Sequence, residues 1–474
     1  MTESTTPEPA PVTTSGQDPV TTGEPDPATT SRPDPTTTPE PVEGRPSTSS
    51  GNVVKSVRGD LVESVPGDVV GPVVVGAVAH GGHCVARLDV GDGGPGRVVF
   101  VRHALPGERV LVTLTDTSHD RFWRGDATEV LEASPDRVVP PCPVAGPGRC
   151  GGCDFQHVAL PAQRGLKTAV VAEQLQRLAG LTWEGEVEAV PVPGSDVDDG
   201  LGWRTRMRYH ADAGGRSGLR RHRSHDLVVV PDGGCPIASP RTPAVVDRSW
   251  PAGAELVAAG TPTGSALLVA GTGPETTGDA TPEGGLTEVV RGRAYAVPPD
   301  GFWQVHPAAA DVLVGAVLDG LQPRAGERAF DLYGGVGLFA GALADAGCQV
   351  WGLESGRAAV AAARRNLVDA GKRARFTADR VERGLARLPG VVDLVVLDPP
   401  RTGAGAQVVR DVLARRPRAV AYVACDPAAL ARDLATAAKH GYEATSIRGF
   451  DLFPMTQHVE CVAILSASAS LRRA

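Results

Sequence analysis

The last third of the chain switches regularly between two hydrophobic periods, and that alternation limits the folds open to it. Seven short segments rich in β-branched and aliphatic residues read as strands: RAFDLY (328–333), QVWGLE (349–354), ARFTAD (374–379), VDLVVLD (392–398), AVAYVAC (419–425), ATSIRGF (444–450) and ECVAILS (460–466). Helical spacing fills the gaps between the first five, and the last follows a loop. Such alternation folds as a doubly wound, mostly parallel sheet with helices on both faces. Sheets of this type bind ligands outside the C-terminal ends of their strands, so those ends are where chemistry is expected.

The first strand ends in FDLYGGVGLFA, where Gly334, Gly335 and Gly337 precede a helix. Glycines there let the backbone approach a ligand at a helix N-terminus. The second strand ends in Glu354, placed to hold a ribose diol, and Asp379 closes the third. This is a nucleoside-cofactor pattern that leaves NAD and S-adenosylmethionine both open, because Gly335 to Ala340 also fits a dinucleotide fingerprint. Asp398 opens the rigid DPPR turn after the fourth strand. A dehydrogenase has no evident use for that turn, and seven strands without a second nucleotide-binding half suit a methyltransferase core better.

AYVACDPAALARDL (421–434) places Cys425 where a buried strand gives way to a helix, with Pro427 in the helix's first turn. A lone cysteine is more often packing than nucleophile. Glu460, flanked by apolar residues in DLFPMTQHVECVAIL, is either a solvated strand edge or a buried functional acid.

Upstream, CPVAGPGRCGGCDFQH (142–157) and the distant GGCPI (233–237) bring Cys142, Cys150, Cys153 and Cys235 into one metal-ligand pattern. Four thiolates suit an iron–sulfur cluster or a structural zinc. Residues 68–132 read as short strands punctuated by Gly and Pro, for which a small closed barrel is the natural solution. Between these regions the pattern is mixed: AQRGLKTAVVAEQLQRLAGL is helical, the rest alternates like antiparallel sheet, and GTGPETTGDATPEGG (271–285) reads as an exposed loop.

The net charge of −8 argues mildly against a nucleic-acid partner, but residues 1–50 carry −6 of it and the other 424 only −2. Residues 203–223 hold seven arginines against Asp212, a local +6 that suits phosphates or a solvated hairpin. The Pro/Thr/Ser-rich tail cannot bury enough apolar surface to order itself, and it lacks the basic and apolar parts of a signal peptide. With no long apolar run, the chain is expected to be cytoplasmic, free of membrane and monomeric.

Taken in order, CGGCDFQH, FWQVH, DLYGGVG, LDPPR, ACDPAALARD and FPMTQHVE resemble the uracil-5 RNA methyltransferases, which make 5-methyluridine in tRNA and rRNA. Composition makes 1–66 a disordered tail, and the resemblance implies an OB-like RNA-binding TRAM barrel over 67–132. It also implies a mixed α+β central domain over 133–310 with a [4Fe–4S] cluster on Cys142, Cys150, Cys153 and Cys235. A seven-stranded Rossmann-like methyltransferase domain would fill 311–474. Carried over by motif, Gln304, Tyr333, Glu354, Asp379 and Asp398 would bind S-adenosylmethionine, Cys425 would be the nucleophile and Glu460 the proton acceptor. Leu338 stands where relatives often carry Asn. The partner is structured RNA, rRNA or tRNA. The alternative is an RNA-binding methyltransferase that modifies an amine without a covalent adduct.

Overall fold

The computed structural model describes residues 54–55, 65–89, 96–269, 275–278 and 285–468, all within one unit. Apart from Val54, Lys55, Val65 and Pro66, the tail expected over 1–66 lies outside the described residues.

The N-terminal strands are β1 (Val54–Lys55), β2 (Val69–Ala79), β3 (His83–Leu88), β4 (Arg97–Arg102), β5 (Arg109–Asp116) and β6 (Phe122–Glu132). They run in the order β1-β2-β3-β4-β6-β5, and β5 pairs back onto β2, so β2 to β6 close a five-stranded barrel. Closure leaves no exposed barrel edge. Alternate valines point inward: Val70, Val75, Val99, Val101, Val110 and Val112 are all buried in one cluster.

The central region starts with α1 (Leu160–Ala179), which has Pro161 in its first turn and stops at Gly180, in the left-handed conformation (φ 67°). After β7 (Val187–Ala189) come β8 (Arg206–Ala211), β9 (Ser217–Arg220), β10 (Leu227–Val229), β11 (Glu255–Gly260), β12 (Gly264–Val269) and β13 (Glu275–Gly278). These last six form an antiparallel sheet in the order β10-β9-β8-β11-β12-β13. The expected loop over 271–285 therefore contains a strand, β13, pairing with β12 from Gly278 to Glu275. Its Gly- and Pro-rich flanks conceal four residues that satisfy the backbone groups of an otherwise bare edge.

A hairpin, β14 (Leu286–Val290) and β15 (Arg293–Val297), leads into α2 (Ala309–Leu321). Then follow β16 (Arg328–Leu332), α3 (Leu338–Asp345), β17 (Gln349–Glu354), α4 (Arg357–Asn366), β18 (Ala374–Ala378), α5 (Val381–Gly384), β19 (Leu394–Leu397), α6 (Gly405–Leu413), β20 (Ala419–Ala424), α7 (Pro427–Lys439), β21 (Tyr442–Asp451) and β22 (Glu460–Ala467). The strand order is β18-β17-β16-β19-β20-β22-β21-β7, parallel except that β22 runs against both neighbours. All seven expected strands are present, but the sheet has eight. The extra strand, β7, comes from the central region and covers the edge of β21; three residues are too few to show a period.

Helices cover both faces, so the central strands β19 and β20 are buried along their whole length. Val395 packs into the cluster formed with α1, α6 and α7, while its neighbour Val396 packs into the cluster formed with α2, α3 and α4. The β14–β15 hairpin contributes Val290, Tyr295 and Val297 to that second cluster.

Candidate active site

The C-terminal edge of the sheet gathers most of the residues singled out in the sequence. Asp331 lies in β16 and Tyr333 just beyond it, Glu354 ends β17, and Asp379 follows β18. Asp398 follows β19 and Cys425 follows β20. Because β22 runs antiparallel, its first residue, Glu460, reaches the same edge; Ala424 pairs with Cys461. Cys425 and Glu460 thus meet although 34 residues separate them in the chain.

Burial makes this edge electrostatically tense. Glu460 is 3% exposed, and burial, reinforced by Asp398 and opposed by Arg401, drives its carboxyl well above the usual range. Burial pushes Asp398 up to about 7, with Asp331 adding to the effect, and pushes Asp331 itself up to about 7. The Cys425 thiol is pushed up to about 12, first by burial and then by Glu460, while Arg401 acts the other way. Arg401 is thus the cation that favours a thiolate here, and its guanidinium also bonds His458 Nε2 at 3.1 Å. Asp331 and Arg401 both stand inside motifs read in the sequence, yet nothing in either motif assigned them a charge-balancing role.

The glycine turn is built for close approach. Gly337 caps α3 at φ 93°, and a Cβ on Gly334 would come within 2.9 Å of the Phe376 ring. Glu354 accepts from the Gly335 N–H (3.2 Å) and the Gly356 N–H (2.6 Å), which fixes its carboxylate over the turn with lone pairs to spare. Asp331 Oδ2 accepts from the Ala340 N–H at 2.9 Å, and its buried Oδ1 has no partner. Asp379 is held at the rim by Arg387 (2.8 Å) and Arg383 (3.4 Å). Gln304 is buried in the segment before α2, anchored to the central sheet where Thr205 N–H donates to the Val305 carbonyl at 2.8 Å. Leu338 is buried, and its carbonyl accepts from the Tyr295 hydroxyl at 3.0 Å.

Two central residues clamp the segment leading to Glu460. Lys167 Nζ reaches Asp451 Oδ1 (2.5 Å) and the Phe453 carbonyl (3.0 Å), and Gln163 Oε1 accepts from the Met455 N–H at 2.8 Å. Both side chains lie on the buried face of α1 with Val170, Val171 and Gln174. Helical spacing from the apolar positions puts them there; their polarity hid it.

Cys142, Cys150, Cys153 and Cys235 line one cavity of about 350 Å³, and all four are free thiols. Among the described residues no group of three or more His, Cys, Asp or Glu side chains is placed to hold a single metal ion. The cavity adjoins the candidate active-site edge: Cys153 packs in a cluster with Met455, and Phe155 N–H donates to the Met455 carbonyl at 3.0 Å. Of the seven arginines in 203–223, Arg206, Arg208 and Arg216 face Glu288, Glu255 and Asp212, so part of the local charge is neutralised. Arg220, Arg221 and Arg223 are exposed, line the cysteine cavity, and have no acidic partner among the described residues. Cys150 and Arg221 are joined by a backbone bridge.

A model of the TRAM domain matches residues 69–128, and one described as tRNA (uracil-5-)-methyltransferase matches 287–468. A protein of Streptomyces avermitilis described as an uncharacterized RNA methyltransferase is 50% identical over 437 residues, covering 84% of this chain and 98% of its own. The chain belongs to the uracil-5 RNA methyltransferase family. An RNA methyltransferase of Bifidobacterium longum is 40% identical to this family member over 432 residues, covering 81% of this chain and 94% of its own. Among solved structures, the tRNA (uracil-54, C5)-methyltransferase of Pyrococcus abyssi, in complex with S-adenosyl-L-homocysteine, shares the methyltransferase's fold. Its TM-score is 0.59 at 21% identity, covering 83% of this chain and 99% of that one. No helix among the described residues is long and apolar enough to cross a membrane.

Proposed function

We propose that this methyltransferase transfers a methyl group from S-adenosylmethionine to C5 of a uridine in structured RNA, rRNA or tRNA, through a covalent bond between Cys425 and the base. The observation that carries this reading is the meeting of Cys425 and Glu460 at one strand edge, beside Asp398 and Arg401. C5 of uracil is a poor nucleophile. Addition of the Cys425 sulfur to C6 turns the ring into an enolate whose C5 attacks the methyl carbon. S-adenosylmethionine supplies that methyl on a positively charged sulfonium. Its binding would fall to Gln304, Tyr333, Glu354, Asp379 and Asp398. The unpartnered Asp331 Oδ1 and the open glycine turn suit such a polar, cationic molecule.

Two proton movements belong to the protein. The resting Cys425 is a thiol, so its proton passes to solvent, to which the residue is partly exposed, as sulfur attacks, and Arg401 is the neighbouring charge that stabilises the anion. Afterwards C5 carries both a methyl group and a proton. Glu460 removes that proton, the C5–C6 double bond re-forms, and the thiolate departs. Glu460 acts in this step from its ionised form, and burial, which raises its affinity for protons, makes that carboxylate the stronger base. The target base also has to be flipped out of its stack at a cost of a few kcal/mol, offset by contacts from the TRAM barrel and from Arg220, Arg221 and Arg223.

We infer that Cys142, Cys150, Cys153 and Cys235 hold a [4Fe–4S] cluster with a structural role. Four free thiols lining a single cavity are the donor set such a cluster takes. When bound, it would tie the 142–153 loop to the strand-end carrying Cys235.

Glu460→Gln keeps the side chain's shape and removes the base. With S-adenosylmethionine and unmodified RNA, this variant is expected to accumulate a protein–RNA adduct that survives denaturing electrophoresis, whereas Cys425→Ala forms neither adduct nor product. Methylation by Cys425→Ala would favour the amine-directed alternative, and normal turnover by Glu460→Gln would remove Glu460 from the mechanism.

A further inference from the structure

The turn between β2 and β3 of the TRAM barrel, His80-Gly81-Gly82-His83, touches both catalytic segments at once. His80 Nε2 lies 2.9 Å from Asp426 Oδ2. Asp426 directly follows Cys425 and caps α7, its Oδ1 accepting from the Ala429 N–H at 2.8 Å. Two residues on, Gly82 (φ 77°) sits so close to Gln457 that a Cβ there would come within 2.7 Å of the Gln457 Cβ. Gln457 in turn lies three residues before Glu460, and its N–H reaches Asp154 Oδ2 at 3.4 Å, a carboxylate that also pairs with Arg102 of the barrel at 3.1 Å.

We propose that His80 is a positioning residue for the methyl-transfer reaction. Through Asp426, it lets the RNA-binding barrel set the strand-to-helix turn on which Cys425 sits. Asp426 has two tasks that use different oxygens, capping α7 with Oδ1 and meeting His80 with Oδ2. The cap fixes the residue's backbone at φ −134°, ψ 111°, and therefore the direction in which the preceding residue, Cys425, leaves the strand. The imidazole N–H fixes the carboxylate's rotation from the other side and balances a negative charge that would otherwise disfavour the neighbouring thiolate. His80 is half-exposed and Asp426 largely buried, so the bond stands at the solvent rim, where RNA held by the barrel would arrive. Attack on C6 needs the sulfur within a few tenths of an ångström of its line of approach, and a misplacement of about 1 Å can cost 10²-fold in rate. A barrel acting only as a tether would have no reason to place a side chain there.

This inference rests on the reading of Cys425 as the nucleophile, and the test separates the two. Full-length enzyme, with or without His80→Ala or His80→Gln, is assayed in single turnover with saturating total RNA from cells lacking the gene, alongside filter-binding measurement of RNA affinity. His80→Ala is expected to lower the saturated rate about tenfold and change RNA affinity less than about twofold. His80→Gln, whose amide N–H has similar reach, should recover most of the rate. Weakened RNA affinity with an unchanged saturated rate would make His80 a plain RNA contact. A Gln variant as slow as the Ala variant would reduce it to packing; either result overturns the proposal. Alkylation of Cys425 by iodoacetamide, followed by mass spectrometry, gives a readout independent of methyl transfer. It should slow in His80→Ala and recover in His80→Gln. Faster alkylation in His80→Ala would show that the barrel only shields the thiol. Loss of the covalent mechanism would instead show as activity in Cys425→Ala, whatever the His80 variants do.

Discussion

Lys167 and Asp451 form an ion pair of 2.5 Å between a helix of the central region and the strand that leads into the Glu460 segment, with side chains 0% and 2% exposed. Burial lowers the ammonium's proton affinity, and Asp451 pulls it back up. Breaking such a pair on one side leaves a buried charge without compensation. Lys167→Met is therefore expected to destabilise the protein by about 3–5 kcal/mol, while Lys167→Met with Asp451→Leu recovers much of that loss. Urea denaturation of the two variants checks the difference, and equal destabilisation in both would mean that packing, not charge, is what matters there.

The buried acids at the C-terminal edge of the sheet set a pH dependence of stability. Asp398 and Asp331 are both raised to about 7 in the folded chain, chiefly by burial, above the unfolded value near 4. A carboxyl raised on folding contributes its stability below the unfolded pKa and loses it as pH climbs through the folded one. The ligand-free protein should accordingly melt at a lower temperature at pH 8 than at pH 5.5. Asp398→Asn, which cannot ionise, should raise the melting temperature at pH 8 by several degrees, raise it less at pH 5.5, and leave it nearly unchanged only below about pH 4. A uniform shift at both pH values would contradict the assignment.

Arg220, Arg221 and Arg223 are exposed and have no acidic partner among the described residues. Replacing all three with Ala should weaken RNA binding and flatten the dependence of log K on log salt by about 0.7–0.9 per lost phosphate contact. Binding titrations between 50 and 200 mM salt, concentrations at which such terms are large, check it. An unchanged slope would return the segment to a solvated hairpin.

The cysteine cavity makes its own prediction. Anaerobic purification should give a brown protein with about four irons per chain. Cys150→Ser should reduce yield and folding more than cofactor affinity. Because Cys150 bridges Arg221 and Cys153 packs on Met455, the variant should also weaken RNA binding. Stoichiometric zinc without iron would overturn the cluster.

What the sequence determined by itself was whatever a local period or a short motif can carry. The switch between strand and helix periods specified the seven strands from 328 to 467, most plainly β19 and β20, whose apolar runs are continuous because every residue is buried. That the glycine turn, Glu354, Asp398 and Cys425 gather at one sheet edge was legible, since each stands at or just beyond the end of a strand, and chain order fixes where the C-terminal ends of parallel strands lie. Tertiary structure decided the rest. The reversal of β22 is what carries Glu460 to the same edge as Cys425. The eighth strand, β7, and the strand inside 271–285 are too short to show a period, and pairing with an open edge is what forms them. Lys167 and Gln163 face the core because helix geometry takes no account of polarity once partners from residues 451–455 are in reach. His80 meets Asp426 across 346 residues, a separation at which only the folded chain brings two side chains into contact.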